Sequence, residues 1–205
     1  MAKDTRNMLI WMRPERLQSL MDGIFAFAMT LLVLNLILPD PTNLPGETRL
    51  HEMLSGEVQA FYNYALSFLL LAIFWTIHSQ QLHILKKTNF PHLWLNMIIL
   101  MFIVLVPFSA SIMNDYSDDT LANLGFALNM FIIGVLYYFN WHYAIGKHKL
   151  IGRGIDAERV KVARRRSLLT PFVSAVAIVL AFVAPSYAAL SYLLIPLLRF
   201  VPPFR

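Results

Sequence analysis

The sequence contains no cysteine and few charged residues. The lack of cysteine excludes disulfides, thiolate metal sites and a cysteine nucleophile. Charged residues make up 14% of the 205 residues and hydrophobic residues 58%, whereas a soluble domain has about 25% charged and roughly 45–50% apolar residues. The apolar residues also form long unbroken blocks, unlike the short periods of a soluble core. This composition nearly excludes a water-soluble monomer and indicates an integral membrane protein.

Sequence motifs for catalysis and metal binding are also missing. The eight glycines are scattered and form no phosphate-binding loop, and neither Gly-x-Ser-x-Gly nor His-Glu-x-x-His occurs. No two of the six histidines are three or four residues apart, the spacing that would place both on one face of a helix. We therefore expect no enzyme activity, no metal site and no cofactor.

Six apolar blocks predict six transmembrane helices in a single domain that covers residues 1–205. A helix needs about 20 apolar residues to cross a bilayer, and turn-forming residues separate the blocks. The predicted spans are residues 17–38, 58–82, 93–113, 121–145, 168–184 and 187–201. Only Pro185 and Ser186 separate the last two spans, so we expect these to form a tight helical hairpin.

The basic residues predict how the chain is oriented in the membrane. With this topology, sixteen of the seventeen lysines and arginines lie on one side and Arg49 alone on the other. Because cytoplasmic loops hold lysine and arginine, we expect a multi-pass protein of the cell membrane with both termini in the cytoplasm. The net charge of +5 follows from this distribution, so contact with lipid headgroups is expected and nucleic-acid binding is not.

A few polar residues are predicted at membrane depth, near the cytoplasmic side. Asp22 lies in the first span, six residues after Arg16. An ionised carboxylate at this depth costs free energy unless it is paired. Trp75, His78 and Asn96 are expected at the same level, and each can donate a hydrogen bond to a carboxylate. The predicted interhelical polar network consists of Arg16, Asp22, Trp75, His78 and Asn96. Three interpretations stay open for it: a structural link between helices, proton coupling through His78 or Asp22, and direct contact with an ion.

The first span also has an apolar stripe with spacings of three and four residues, which places its members on one helical face. The members are Leu20, Gly23, Phe27, Leu31, Leu34 and Leu38. Such a stripe is typical of a face that contacts lipid or a protein core. The neighbouring stripe contains Asp22 and the small Ala26, where another helix could approach. The two stripes together are compatible with a pore-lining helix, but periodicity alone does not decide between these alternatives.

The first span resembles the first helix of a known channel family. The stretch Arg16-Leu-Gln-Ser-Leu-Met-Asp22-Gly-Ile-Phe-Ala-Phe-Ala-Met-Thr-Leu-Leu-Val-Leu34 is similar to that helix in the prokaryotic homologues of the lysosomal potassium channel, transmembrane protein 175. The hallmark of this helix is Arg-x-x-x-Phe-Ser-Asp. Arg16 and Asp22 match it at the right separation, while Leu20 and Met21 replace the phenylalanine and serine.

Two further segments carry the same resemblance. Tyr64-Ala-Leu-Ser-Phe68 with Trp75-Thr-Ile-His78 is similar to the second helix of the family, and Leu95-Asn96 with Pro107-Phe-Ser109 is similar to the third. The resemblance is specific over residues 16–110 and compatible in hydropathy over the remainder.

The resemblance implies an all-α integral membrane protein in which four six-helix subunits surround a central ion path. The first helix of each subunit would line the path, and the Thr-Val-Gly-Tyr-Gly carbonyl filter of other potassium channels would be absent, as it is from this sequence. Carried over by offset from Asp22, the pore constriction falls on Phe27, Leu31 and Leu34. Thr30 is then the residue associated with selectivity.

The function implied by the resemblance is a homotetrameric channel that passes potassium and other monovalent cations passively. Apolar side chains would close the path by excluding water. The alternative is a proton-coupled or other secondary transporter that uses Asp22 and His78. Inverted repeats are typical of such transporters, and no repeat relates residues 1–102 to residues 103–205.

Overall fold

The structure is a computed structural model that describes residues 13–36, 57–146, 150–151 and 157–199. These residues are almost entirely helical. The long helices are α1 (Pro14–Leu31), α2 (Val58–Ile84), α3 (Phe90–Asp115), α4 (Thr120–Ile145) and α5 (Ala157–Val183). A 3₁₀ turn, Leu32–Asn35, continues α1. The last described elements are α6 (Pro185–Ala188), a second 3₁₀ turn (Ala189–Leu193) and α7 (Leu194–Arg199). The predicted all-α fold is confirmed.

Among the described residues, five helical stretches are long and apolar enough to cross a membrane. They are Pro14–Asn35, Val58–Ile84, Phe90–Asp115, Thr120–Ile145 and Val162–Val183. The sixth predicted span, residues 187–201, corresponds to a shorter apolar segment, Pro185–Leu198. The final residues of the first and sixth predicted spans, 37–38 and 200–201, lie outside the described residues.

The helix ends follow from local sequence. The side chain of Asn89 accepts a hydrogen bond from the backbone N–H of His92 and begins α3, and Asp119 accepts from two backbone N–H groups and begins α4. Such caps satisfy N–H groups that have no partner within the helix. Helix α5 begins at Ala157, well before the predicted start at residue 168, because its basic first turns are good helix formers although they are not apolar.

The helices pack in sequence order along most of the chain. Helix α1 packs on α2 and α3, α3 packs on α4, and the most extensive contact joins α4 to α5. That contact is close because Gly134 has no side chain: a Cβ added there would lie 2.7 Å from Cδ of Pro171. Ala184 alone separates α5 from α6, and the segments after it pack back on α5 as the predicted hairpin.

Two connections that are predicted to lie on the same side of the membrane contact each other. The backbone N–H of Lys86 donates to the carbonyl of Leu150 at 3.0 Å, and Leu85 forms an isolated antiparallel bridge with Ile151. At the opposite ends of α2 and α3, Asn63 Nδ2 donates to Asn114 Oδ1 at 3.1 Å. The α2–α3 and α4–α5 connections therefore meet at one end of the helices.

Candidate pore-lining face of the first helix

Helix α1 and its 3₁₀ turn have one fully buried face. Its residues are spaced by three or four positions, as expected for one side of a helix. The side chains are at most 1% exposed and belong to the hydrophobic core: Leu17, Met21, Phe25, Ala28 and Leu32. This face packs against α2 and α3 and so fixes which way the opposite face points.

The opposite face of α1 is exposed. Phe27 is 57% exposed and Leu34 is 65% exposed, Leu31 is half-buried, and Gly23 is open, with no heavy atom within 4 Å of an added Cβ. The stripe found in the sequence is therefore not part of the core of a single subunit. Its remaining interpretations are contact with lipid and the lining of a path that several subunits enclose.

Thr30 lies on this exposed face and presents an oxygen atom. Its hydroxyl group donates a hydrogen bond to the backbone carbonyl of Phe27 at 2.8 Å. The hydroxyl proton is thereby occupied within the helix, while a hydroxyl oxygen retains lone pairs that can accept or coordinate. A ring of such oxygens could contact a cation or its hydration water.

The exposed face ends in a change of helix type. Leu31 (φ −65°, ψ −26°) and Leu32 (φ −59°, ψ −31°) have 3₁₀ dihedral angles, and the 3₁₀ turn continues to Asn35. Asn35 Nδ2 donates to the backbone carbonyl of Pro107 in α3 at 3.2 Å. Sequence reasoning did not find this contact, although an asparagine within an apolar span indicates a hydrogen-bond partner.

The structure joins Asp22 to Trp75. The indole Nε1 of Trp75 donates to Asp22 Oδ1 at 2.7 Å, which gives the carboxylate in α1 a partner in α2. Near the start of α1, Gln18 Nε2 also donates to Ser79 Oγ at 3.4 Å. Arg16 is exposed, and no hydrogen bond or ion pair joins its side chain to Asp22 within the described residues.

His78 is not hydrogen-bonded to the Asp22–Trp75 pair. Its side chain is 2% exposed, and its ring centroid is 5.3 Å from that of Tyr137 and 6.5 Å from that of Phe25. In the part of the chain that the structure describes, neither ring nitrogen of His78 has a hydrogen-bond partner. His78 therefore packs as an aromatic residue between α1 and α4.

Asn96 also has partners other than Asp22. Asn96 Nδ2 donates to Asn140 Oδ1 at 3.4 Å, and Asn140 Nδ2 donates back to Asn96 Oδ1 at 3.3 Å. The same Nδ2 donates to the backbone carbonyl of His92 at 2.6 Å. Asn96 thus links α3 to α4. Of the five residues expected in one network, Asp22 and Trp75 form a pair and Asn96 pairs with Asn140 instead. Arg16 and His78 belong to neither pair.

No site for a metal ion is formed by the described residues. Among them, no group of three or more histidine, aspartate or glutamate side chains converges. The exposed face of α1 presents the apolar side chains of Phe27 and Leu34 with the hydroxyl group of Thr30, and nearer the start of the helix the hydroxyl group of Ser19.

Comparison with known proteins shows what this chain is similar to. The family model of the endosomal/lysosomal potassium channel TMEM175 matches residues 16–107. Over these residues the chain is similar to the TMEM175 family. It is 25% identical to a potassium channel of Streptomyces collinus over 173 residues, which cover 82% of both chains. It is 23% identical to a potassium channel of Chamaesiphon minutus over 172 residues, which cover 82% of this chain and 84% of that relative.

The fold of the chain also resembles a solved structure. The crystal structure of a lysosomal potassium-selective channel TMEM175 homolog from Chamaesiphon minutus matches 92% of this chain and 98% of its own chain, with a TM-score of 0.77 and 20% identity. The similarity of fold therefore extends beyond the family match, which ends within α3. Both the exposed face of α1 and the Asp22–Trp75 pair fall within the family match.

Proposed function

We propose that the protein is a potassium channel in which the exposed face of α1 lines the ion path. The observation that carries this proposal is the division of α1 into a fully buried face and an opposite face with exposed Phe27 and Leu34 and the hydroxyl of Thr30. The match of residues 16–107 to the TMEM175 family model and the names of the bacterial relatives support potassium as the permeant ion.

Several copies of the chain are needed to form such a path. One helix face cannot enclose ions by itself, and closed rings of identical subunits are the usual arrangement of homo-oligomers. We propose a homotetramer in which four copies of α1 surround the axis. We propose that the end of the helices where Lys86 contacts Leu150 is the cytoplasmic one, because the α2–α3 and α4–α5 connections meet there and the sequence of both is rich in lysine and arginine.

The proposed constriction consists of rings of Phe27, Leu31 and Leu34. An apolar ring closes a pore by dewetting, because a cation cannot readily shed its hydration shell there. A modest widening then opens the path. Potassium, as the larger ion, loses its hydration shell at a lower cost than sodium, and the Thr30 oxygens can contact the ion beside the constriction.

The geometry gives no support to a proton-coupled transporter that uses Asp22 and His78. Asp22 has an indole partner in Trp75, while His78 is enclosed by Phe25 and Tyr137. No hydrogen bond between Asp22 and His78 occurs in the structure, where both side chains are described. A direct proton transfer between the two side chains would need such a hydrogen bond.

Flux through liposomes tests the proposed function. Purified protein is reconstituted into potassium-loaded vesicles, and potassium efflux is followed with no other ion gradient, with empty vesicles as the control. We expect passive efflux that follows the potassium gradient at all pH values tested. Absence of efflux across pH and voltage from an intact oligomer would contradict a channel. A saturable flux that needs a proton gradient would favour a transporter.

A further inference from the structure

We propose that Asn35 is a positioning residue for the constriction at Leu34. Its hydrogen bond to the carbonyl of Pro107, at 3.2 Å, holds the end of α1 in its 3₁₀ winding and so fixes the direction of Leu34. The inference rests on the proposed function, because it assumes that Leu34 faces the ion path. In this proposal Asn35 does not itself line the path but determines the direction of Leu34, which does.

The winding of residues 32–35 decides where Leu34 points. A 3₁₀ helix turns by about 120° and rises about 2.0 Å per residue, whereas an α-helix turns by about 100° and rises 1.5 Å. Over the three steps from Leu31 to Leu34, the 3₁₀ form therefore carries Leu34 about 60° further round and about 1.5 Å further along. Side chains at positions i and i+3 eclipse in this form, so Leu34 lies in line with Leu31.

The acceptor of the Asn35 bond is on a fixed part of the neighbouring helix. Pro107 is buried within α3, and its ring restricts the backbone dihedral φ. A carbonyl oxygen has two lone pairs, so the Pro107 carbonyl can accept from Asn35 in addition to a helical N–H group. The amide of Asn35 is therefore anchored to a rigid point.

Two residues hold the 3₁₀ turn in place. Leu32 is 0% exposed and anchors its beginning in the core, and Asn35 anchors its end on α3. Leu34 lies between these anchors and points outward, with 65% of its surface exposed. Loss of the second anchor leaves the last residues of α1 free to continue as an α-helix, which would turn Leu34 away from Leu31.

A matched control exists on the same helix. Gln18 also makes an interhelical side-chain amide bond, to Ser79 Oγ at 3.4 Å. It lies in the α-helical first turns of α1, far along the chain from the 3₁₀ turn. Replacement of Gln18 removes a comparable bond without affecting the winding near Leu34.

Because the sequence has no cysteine, one introduced thiol reports on one position. Leu34→Cys and, separately, Leu31→Cys are placed in the native, Asn35→Leu, Asn35→Gln and Gln18→Leu backgrounds. Each protein is reconstituted in liposomes, and a small cationic thiol reagent is added while potassium efflux is measured. The rate at which efflux falls gives the rate of modification from the ion path.

We expect Asn35→Leu to slow modification at Leu34→Cys by about fivefold, the equivalent of one ordinary hydrogen bond. The rate at Leu31→Cys should not change. Asn35→Gln, which keeps an N–H donor, should restore the native rate at least in part, and Gln18→Leu should leave both rates unchanged. Should the leucine variant not assemble, Asn35→Ala also removes the donor, without adding a bulky side chain, and takes its place in the same comparison.

Equal modification rates at Leu34→Cys in the native and donor-free backgrounds would overturn the role of Asn35 while leaving the pore assignment intact. Modification of Leu34→Cys that has no effect on efflux in the native background would instead contradict the constriction at Leu34. That result would also contradict the inference about Asn35, because the inference assumes a constriction at Leu34. Equal slowing at both cysteine positions would also overturn the inference, because it would indicate a general disturbance of α1.

Discussion

The indole N–H of Trp75 donates a hydrogen bond to the carboxylate of Asp22 at 2.7 Å. It is the shorter of two side-chain hydrogen bonds that join α1 to α2, the other being that of Gln18 with Ser79 at 3.4 Å. Because the bond fixes the rotation of α1 relative to α2, it helps to keep the core face inward and the face with Phe27 outward.

Trp75→Phe should lower the stability of the folded protein. The substitution keeps an aromatic ring but removes the donor to Asp22. A hydrogen bond to a charged group contributes about 1.5–3 kcal/mol, and partial exposure of Trp75 places the expected loss nearer ~1 kcal/mol. Thermal unfolding of the purified protein in detergent measures this loss.

Trp94→Phe serves as the control for that substitution. Trp94 is 55% exposed, and its ring contacts that of Phe90. Its indole has no hydrogen-bond partner among the described residues. Its replacement should therefore leave the unfolding temperature nearly unchanged, and an equal decrease for the two variants would show that the Asp22 bond contributes nothing specific.

Phe27→Ala should increase potassium leak through the reconstituted protein. A smaller side chain widens the proposed apolar ring and makes dewetting less favourable. The measurement is potassium efflux per oligomer from liposomes. Phe182→Ala is the matched control, because Phe182 is also highly exposed, at 66%, but belongs to α5. Unchanged efflux in Phe27→Ala, or an equal increase in both variants, would place the constriction elsewhere.

Gly134→Ala should destabilise the contact between α4 and α5. Its Cβ would lie 2.7 Å from Cδ and 2.8 Å from N of Pro171, so the two helices would have to move apart. Overpacking of this kind costs about 1–3 kcal/mol, which thermal unfolding detects. Gly125→Ala in the same helix meets no heavy atom within 4 Å and should be neutral or slightly stabilising. The same loss at both glycines would refute the steric explanation.

Asn140→Leu should destabilise the protein by about 1–3 kcal/mol, because it leaves the buried amide of Asn96 without its partner. Asn96 and Asn140 are 0% and 2% exposed. The double variant Asn96→Leu/Asn140→Leu should be less destabilised than the sum of the single variants, since both partners are then removed together. Additive losses in thermal unfolding would show that the two amides do not act as a pair.

Much of the fold could be predicted because bilayer thickness sets the length of an apolar helix. The runs that became α2, α3 and α4 are bounded by turn residues that also cap the helices, such as Asn89 and Asp119. Hydropathy could not place the start of α5, because helix formation by basic residues does not depend on their apolar character. Nor could it reveal that residues 32–35 change to 3₁₀ winding, which depends on packing against α3.

The candidate site could be predicted only in part because sequence gives depth in the membrane but not direction around a helix. Asp22 and Trp75 share both a level and a facing direction, and they bond. Asn96 faces Asn140 in α4, and His78 faces Tyr137. These directions follow from how the helices pack against one another, which one chain's periodicity does not determine.

The proposed function requires that the exposed face of α1 lines an ion path shared by several subunits. The most direct measurement is a structure of the assembled protein in a lipid nanodisc, with its symmetry and narrowest axial point. We predict four subunits with Phe27, Leu31 and Leu34 on the axis and the Thr30 hydroxyl groups beside them. An axis lined by another helix, with Phe27 and Leu34 packed against lipid, would contradict the assignment of α1 as the pore-lining helix.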